Sequence, residues 1–158
     1  MDQTDRRILS ELQKNGRLSS QALAERVGLS ATPCWRRVRR LVKNGVIARY
    51  VAILDPERVG LHVTAYAQVS LEDHHPDSVA EFDRMVKDLP EILECHAMSG
   101  QHDYQLKVAC ESIGAYDQLL SNHILRVKAV HTVNTSFVLR TNKSTTELPL
   151  GLVSFPIQ

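Results

Sequence analysis

The chain has 158 residues, enough for one ordinary domain or for a module of about 50 residues joined to one of about 100. No apolar run approaches the ~18–20 residues of a membrane helix, and residues 1–5 lack the pattern of a signal peptide, so we expect no membrane partner and a cytoplasmic location. The three cysteines, Cys34, Cys95 and Cys110, cannot all pair and lack CxxC spacing, which argues against disulfides and a metal site.

A charge split lies behind the formal net charge of +1. Residues 1–50 carry eleven Lys and Arg against four acids, a net charge of +7, whereas the other 108 residues carry eight basic and 14 acidic side chains, a net charge of −6. Such asymmetry is typical of a polyanion-binding module joined to a module with another role. Chance clustering of solvated charges is the alternative.

Three short helices are predicted in the basic segment. The first covers residues 5–13, and the second follows Ser19-Ser20 and stops at Gly28. The third, 32–44, begins at Thr32-Pro33, a hydroxyl cap followed by proline in the first turn. Two helices joined by a turn of three to four residues, the second one basic, are typical of a DNA-binding helix-turn-helix.

The third predicted helix has two distinct faces. At 100° per residue, its predicted core face consists of Cys34, Val38, Leu41 and Val42. The opposite face carries Arg36, Arg39, Arg40 and Lys43, with Arg37 on its flank. No acidic residue occurs between residues 31 and 54, although a surface helix that serves only solubility usually mixes both signs. Such a stripe can meet phosphates along a major groove, and arginine can pair with guanine edges.

Beyond residue 45 the pattern becomes that of β-structure. Residues 46–54 predict one or two short strands, which would complete a winged helix-turn-helix. The following elements have the order βαββαβ: strand 63–71, helix 77–88, strands 92–98 and 104–110, helix 112–126, and strand 130–139. This order predicts a ferredoxin-like domain, an antiparallel four-stranded sheet with both helices on one face.

The predicted fold class is α+β, a winged helix-turn-helix followed by a ferredoxin-like domain. The predicted boundaries are 1–54 for DNA binding, 55–61 for a linker, 62–141 for the second domain and 142–158 for a tail. The uncovered sheet face favours a homodimer formed sheet to sheet. The tail contains Leu148-Pro149-Leu150 and Phe155-Pro156, and we expect it to lie across a neighbouring surface.

Motifs spread over about residues 2–150 resemble one family in order and spacing. In the basic segment they are Asp5-Arg6-Arg7-Ile8-Leu9, Leu12-Gln13-Lys14-Asn15-Gly16-Arg17, Val27-Gly28-Leu29-Ser30, Thr32-Pro33-Cys34, Arg37-Val38 and Gly45-Val46-Ile47. In the remainder they are Glu94-Cys95-His96, Ser99-Gly100, Asp103-Tyr104, Ala115-Tyr116 and Thr135-Ser136-Phe137-Val138. Their combination resembles the leucine-responsive regulatory protein/asparagine regulator (Lrp/AsnC) family.

The resemblance implies a sequence-specific transcription regulator of a bacterial-type cytosol, associated with the nucleoid. Its implied partners are double-stranded DNA and further copies of the chain, as dimers through the C-terminal sheet that assemble into tetramers or octamers. The candidate DNA-binding residues are Ser30, Thr32, Pro33, Trp35, Arg36, Arg37, Arg39, Arg40 and Lys43. Trp35 borders the apolar face of the helix, and sealing the core is its alternative role.

The resemblance also implies a small effector, an amino acid, bound between dimers near the loop that joins the second and third strands. The residues carried over are Met98, Ser99, Gly100, Gln101, His102, Asp103 and Tyr104, with Ile113, Ser136, Phe137 and Val138 at positions that influence the response in relatives. Gly100 permits close approach of backbone N–H groups to a carboxylate, and Asp103 can pair with an ammonium. His102 stands where relatives often carry an aromatic residue, which leaves the effector's identity open. A plain hairpin turn is the alternative for this loop.

Two other functions are alternatives to an effector-responsive regulator. Small βαββαβ domains also occur in enzymes, but no nucleophile–base pair, carboxylate pair or metal spacing emerges, so we expect neither catalysis nor a cofactor. An architectural, chromatin-like DNA-binding protein without an effector needs the same basic helix. The sequence does not separate it from a regulator.

Overall fold

The computed structural model describes residues 1–153, and they fall into two compact units. The first unit combines residues 1–53 with residues 143–153 of the tail, and the second covers Leu54–Asn142. The tail thus belongs with the N-terminal module, although it is far from that module in sequence. Phe155-Pro156, which the sequence places in the apolar tail, lies outside the described residues.

The first unit contains three helices: α1 (Gln3–Lys14), α2 (Ser20–Val27) and α3 (Ala31–Lys43). Asp2 and Asp5 form a reciprocal capping box at the start of α1, and the Ser19 hydroxyl accepts a hydrogen bond from the N–H of Ala22 at the start of α2. Gly28 ends α2 with a φ of 72°, a left-handed conformation that glycine adopts without a steric penalty. The helices enclose a core of Ile8, Leu9, Leu23, Ala24, Val27, Cys34 and Leu41.

The start and the buried face of α3 differ from the sequence-based expectation. The helix begins one residue earlier, at Ala31, with Ser30 rather than Thr32 in the cap position. Cys34 and Leu41 are buried as predicted, but Val42 is 46% exposed. A helical wheel locates the apolar face of α3, but it does not show how much of that face the neighbouring helices bury. Only the centre of that stripe is fully covered in this small unit.

The predicted wing strands are not formed. Residues 46–54 are all described, and they contain no strand. Gly45 turns the chain with a φ of 70°, and the N–H groups of Val46 and Ile47 both donate to the carbonyl of Leu41. Ile47 packs against the helical core, whereas Val51 and Ile53 are exposed. A β-forming sequence needs a partner strand to satisfy its backbone, and no other segment of the described chain pairs with this one.

The tail packs against α1, in agreement with the expectation that it lies on a neighbouring surface. The N–H of Leu148 donates to Oε1 of Gln13 at 2.7 Å, and Nε2 of Gln13 donates to the Leu148 carbonyl at 3.2 Å. Nη2 of Arg6 donates to the Val153 carbonyl at 2.9 Å. Leu150 packs against the helical core, so the tail contributes apolar cover as well as hydrogen bonds.

The second unit has the predicted element order: β1 (Val63–Leu71), α4 (Pro76–Asp88), β2 (Ile92–Ala97), β3 (Tyr104–Cys110), α5 (Ile113–Asn122) and β4 (Val130–Phe137). The strands form one antiparallel sheet in the order β2-β3-β1-β4. The last helix is shorter than predicted, because a separate 3₁₀ turn, Ile124–Arg126, follows it. The α+β fold class is confirmed.

Strand alternation divides the sheet into a buried and a free face. Ala65, Ala67 and Val69 of β1 pack with Leu106 and Val108 of β3 in a core closed by Phe82 of α4 and Tyr116 of α5. The intervening residues of β1 lie on the free face, and they are polar or aromatic: Thr64, Tyr66, Gln68 and Ser70. This face is therefore far less apolar than the core face.

Candidate nucleic-acid interface and ligand site

The outer surface of α3 forms a basic groove of about 760 Å³. Its lining includes five of the predicted DNA-binding residues: Trp35, Arg36, Arg39, Arg40 and Lys43. Trp35 is 48% exposed and does not seal the core, and the guanidinium of Arg39 lies 4.9 Å from the centre of its ring. This distance is within the range of a cation–π interaction, which orients Arg39 along the helix surface.

The remaining predicted DNA-binding residues lie at the N-terminal end of α3 or against α1. Ser30 caps the helix without a side-chain capping bond, Thr32 is exposed and Pro33 is half-buried. This end of α3 is therefore accessible, as base-edge contact requires. Arg37 is half-buried and faces α1.

Arg37 and Arg40 form ion pairs with Asp5, a buried carboxylate of α1. Nη1 of Arg37 donates to Asp5 at 2.9 Å and to Asp2 at 2.6 Å, and Nη2 of Arg40 donates to Asp5 at 2.7 Å. The side chain of Asp5 is 1% exposed. The pKa of Asp2 is lowered by the hydrogen bond from the Asp5 N–H and then by that from Arg37, and the same ion pairs raise the pKa of Arg37. These bonds fix α3 to α1, a structural role that the sequence pattern did not reveal.

In the second unit, the loop between β2 and β3 borders a polar cavity of about 240 Å³. Five of the seven predicted loop residues line it: Met98, Ser99, Gln101, His102 and Tyr104. Gln68 and Gln105, which sequence reasoning missed, complete the lining and are direct partners across β1 and β3. The alternation of polar residues along β1 was the signal for Gln68, since it placed that residue on the free face.

Asp103, which is predicted to pair with an ammonium, makes two contacts within its own chain. Its Oδ2 accepts the N–H of Leu71 at 2.8 Å, and its Oδ1 lies 2.7 Å from Nε2 of His74. The pKa of Asp103 is lowered, first by the Leu71 hydrogen bond and then by that of His74. In the single chain this carboxylate therefore joins two loops and does not line the cavity. Gly100 has a φ of 137°, a conformation that side-chain-bearing residues rarely adopt.

The other predicted effector residues do not join the loop within one chain. Phe137 lies beside Ala65, Ser136 beside Tyr66, and the N–H of Val138 donates to Thr64, at one end of β1. The β2–β3 loop lies near the other end, where Val69 pairs with Tyr104. Four residues of a strand separate Ala65 from Val69, about 13 Å. Ile113, which is 62% exposed, begins α5 just after the far end of β3.

Within 1–153 there is no cluster of three or more His, Cys, Asp or Glu side chains with the geometry of a metal site. None of the described helices combines the length and the hydropathy needed to cross a lipid bilayer.

Family profiles match both units. The profile described as winged helix-turn-helix DNA-binding matches residues 1–48, and the profile described as Lrp/AsnC ligand binding domain matches residues 64–148. The chain belongs to the Lrp/AsnC family. It is therefore a DNA-binding transcription regulator with an Lrp/AsnC ligand-binding domain, and the expectation that it is not an enzyme is confirmed by its family.

Individual Lrp/AsnC proteins are similar over nearly the whole chain. The leucine-responsive regulatory protein of Escherichia coli is 40% identical over 148 residues, which are 94% of this chain and 90% of that protein. A Neisseria meningitidis transcriptional regulator solved with L-Met aligns at a TM-score of 0.92 and 39% identity, over 95% of this chain and 97% of the other. A feast or famine regulatory protein of Mycobacterium tuberculosis complexed with L-methionine aligns at 0.81 and 30% identity, over 93% and 97%.

Proposed function

We propose that this Lrp/AsnC protein is a sequence-specific regulator that responds to an amino acid bound near the β2–β3 loop. The observation that supports it best is the polar cavity there, lined by Gln68, Gln105 and His102. Amide and imidazole groups can bind both the carboxylate and the ammonium of an amino acid. Two similar structures contain L-methionine, which makes that amino acid the first probe.

A second part of the proposal is that the effector lies between assembled copies. The candidate effector residues lie towards opposite ends of the strands within one chain, so one chain supplies the loop and another supplies Ile113, Ser136, Phe137 and Val138. Asp103 then holds the loop in shape through Leu71 and His74 and does not have to take the ammonium itself. Effector binding would favour one assembly over another and so change which DNA sites are bridged.

The effector proposal is tested by thermal unfolding of the full chain with each of the twenty amino acids at millimolar concentration. A ligand that binds only the folded state raises the midpoint, and the rise grows with its concentration. We expect L-methionine or a chemically similar amino acid to raise it, and His102→Ala to abolish the rise. His62→Ala, an exposed histidine just before β1, is the matched control. A rise that persists in His102→Ala would contradict this placement of the site.

We propose that α3 enters the major groove, with two such helices per dimer on a pseudo-palindromic site. Arg36, Arg39 and Lys43 supply phosphate and guanine contacts, while Thr32, Pro33 and Trp35 lie near the base edges. The double variant Arg36→Ala, Arg39→Ala removes two exposed cations and leaves the ion pairs of Arg37 and Arg40 with Asp5 intact. The salt dependence of DNA binding should lose a slope of about 1.8 for each helix, and so about 3.6 for a dimer that inserts two, at about 0.9 for each phosphate contact. Arg84→Ala, an exposed arginine of α4, is the control, and an unchanged slope would contradict the groove assignment.

The dimer is proposed to form through the free face of the sheet. Tyr66 is 37% exposed at its centre, and Lys107, its partner in register, donates to Glu94 at 2.9 Å. This ion pair lowers the pKa of Glu94 and raises that of Lys107. Such a face is suited to a hydrogen-bonded, partly hydrated interface. Gln68→Arg should convert the dimer to monomers in sedimentation analysis, whereas Glu81→Arg on the outer side of α4 should not.

The alternative function is an effector-independent architectural protein bound along DNA. It predicts the same salt slope and the same loss in the Arg36 and Arg39 variant, but no change of midpoint with any amino acid. The two assays therefore distinguish the alternatives. In either case the proposed location is the cytoplasm, on the nucleoid. The sedimentation experiment described for the dimer also distinguishes a tetramer from an octamer.

A further inference from the structure

Trp35 is an exposed aromatic side chain on the cationic face of α3. The residue is 48% exposed, whereas the preceding residue, Cys34, is fully buried in the helical core. Trp35 follows Thr32 by three residues and precedes Arg39 by four, so these side chains lie on one face of the helix. No carboxylate lines the groove along this face. Tryptophan and arginine are the side chains that most often dominate binding at protein interfaces, so Trp35 is a candidate for direct contact with DNA.

Arg39 holds the Trp35 ring in place. Its guanidinium carbon lies 4.9 Å from the ring centre, one helical turn further along α3. A side chain that is already ordered loses less conformational freedom when a complex forms. Nε1 of Trp35, which can donate a hydrogen bond but cannot accept one, has no hydrogen-bond partner within residues 1–153. The helix therefore presents an oriented apolar ring with one unused donor.

This combination of groups matches one base in the major groove. Thymine presents its C5-methyl group beside the O4 acceptor. Cytosine has an amino donor in place of O4 and no methyl group, and neither purine presents a methyl group. An apolar ring with a single N–H donor therefore complements thymine best. Phosphate contacts from the neighbouring arginines supply affinity, but they do not distinguish one base pair from another.

We propose that Trp35 is a specificity-determining residue that selects a thymine in each half-site, with its ring against the C5-methyl group and its Nε1–H donating to O4. This role rests on the proposed entry of α3 into the major groove, and it names the base contact made there. Arg39 is a positioning residue in this arrangement, because it orients the ring while its charge stays available to a phosphate. Trp35 thus adds base recognition to a face that otherwise carries charge.

The test begins with selection by the full chain from a pool of duplexes whose randomised segment is long enough for two half-sites. Each thymine of the enriched sequence is then replaced in turn by uracil, which removes the methyl group and nothing else. At one thymine in each half-site, uracil should weaken binding by about fourfold, the factor that corresponds to one buried carbon of an apolar side chain. Trp35→Leu should bind the thymine and uracil duplexes equally. Trp35→Phe keeps a ring for the methyl group, so the uracil effect should remain while the overall affinity falls.

Arg36→Ala is the matched control, because it alters the next residue of the same helix and removes a cation. It should lower the salt slope by about 0.9 for each helix and leave the ratio of thymine to uracil affinity unchanged, whereas Trp35→Leu should do the reverse. Far-UV circular dichroism establishes that each variant is folded. Enrichment of no sequence would overturn this role together with the proposed sequence-specific function. An enriched sequence whose thymines all tolerate uracil, or an undiminished uracil effect in Trp35→Leu, would overturn the role of Trp35 and leave the entry of α3 into the groove standing.

Discussion

Different interactions stabilise the folds of the two units. In the second unit, the buried apolar side chains of the sheet and of its two helices form the core, and the ion pair between Glu94 and Lys107 lies on the free face. In the first unit, a smaller apolar core is supplemented by Asp5, which is the only charged side chain buried among the described residues. Three short helices enclose little apolar surface, so specific charge pairs orient α3.

This difference has a consequence for how the basic residues of α3 are used. Arg37 and Arg40 are bound to α1 through Asp5, whereas Arg36 and Lys43 are exposed in the basic groove. Two of the basic residues of α3 thus hold the helix in place, and the exposed ones remain available for contact with DNA. The core of the second unit, in contrast, contains no buried charged side chain among the described residues, and apolar side chains form it.

The strongest test of the comparison is Phe82→Ala in the second unit. Phe82 is fully buried and its ring lies 4.6 Å from that of Tyr104, so its removal should lower the free energy of unfolding by about 4 kcal/mol. Urea unfolding followed by far-UV circular dichroism measures the loss. Leu139→Ala, at a position that is 96% exposed, is the control and should change little. Equal unfolding midpoints for the two variants would contradict the packing described for this core.

The corresponding test in the first unit is Asp5→Asn. It removes the charge that both Arg37 and Arg40 bind and weakens the capping box, which should cost about 3 kcal/mol. Trp35 is the only tryptophan of the chain and lies on α3, so its fluorescence follows this unit. Asp77→Asn in α4, where the side chain is 97% exposed, is the matched control. If both variants unfold at the same urea concentration, charge pairing does not hold α3 in place.

The same contrast explains how far the sequence could predict the molecule. The four strands and two helices of the second unit were predicted within a few residues, apart from the end of the last helix, because alternation and helical periodicity are local signals. The ion pairs of Arg37 and Arg40 with Asp5 join residues more than 30 positions apart, and no local sequence periodicity indicates them. The predicted wing strands failed for a related reason, since a strand depends on a distant partner. Five of the predicted loop residues border a cavity in the structure, but Gln68 was recognised as part of its lining only once the sheet register was known.

A smaller effect is expected where the tail contacts the first unit. Leu150 packs against the helical core, and Leu150→Ala should lower the stability of that unit by about 1–2 kcal/mol. Leu152→Ala is the same substitution two residues further on, at a side chain that is 86% exposed, and should cost almost nothing. Trp35 fluorescence during urea unfolding compares the two. If they behave alike, the apolar contact of the tail does not stabilise the unit, and its hydrogen bonds to Gln13 and Arg6 remain as support.

The smallest effect concerns acid stability at the loop between β2 and β3. The pKa of Asp103 is lowered in the folded chain, so its carboxylate stabilises the fold above the unfolded value of about 3.9, and this contribution disappears as the pH falls through the lower folded pKa. Asp103→Asn should therefore cost about 1 kcal/mol at pH 6, and the difference from the unaltered chain should vanish in strong acid. Asp117→Asn, an exposed carboxylate of α5, is the control. A cost that stays constant from pH 6 down to strong acid would mean that the shape of the Asp103 side chain, and not its charge, fixes the loop. Asp103 would then have no role in the second unit comparable to that of the Asp5 charge in the first.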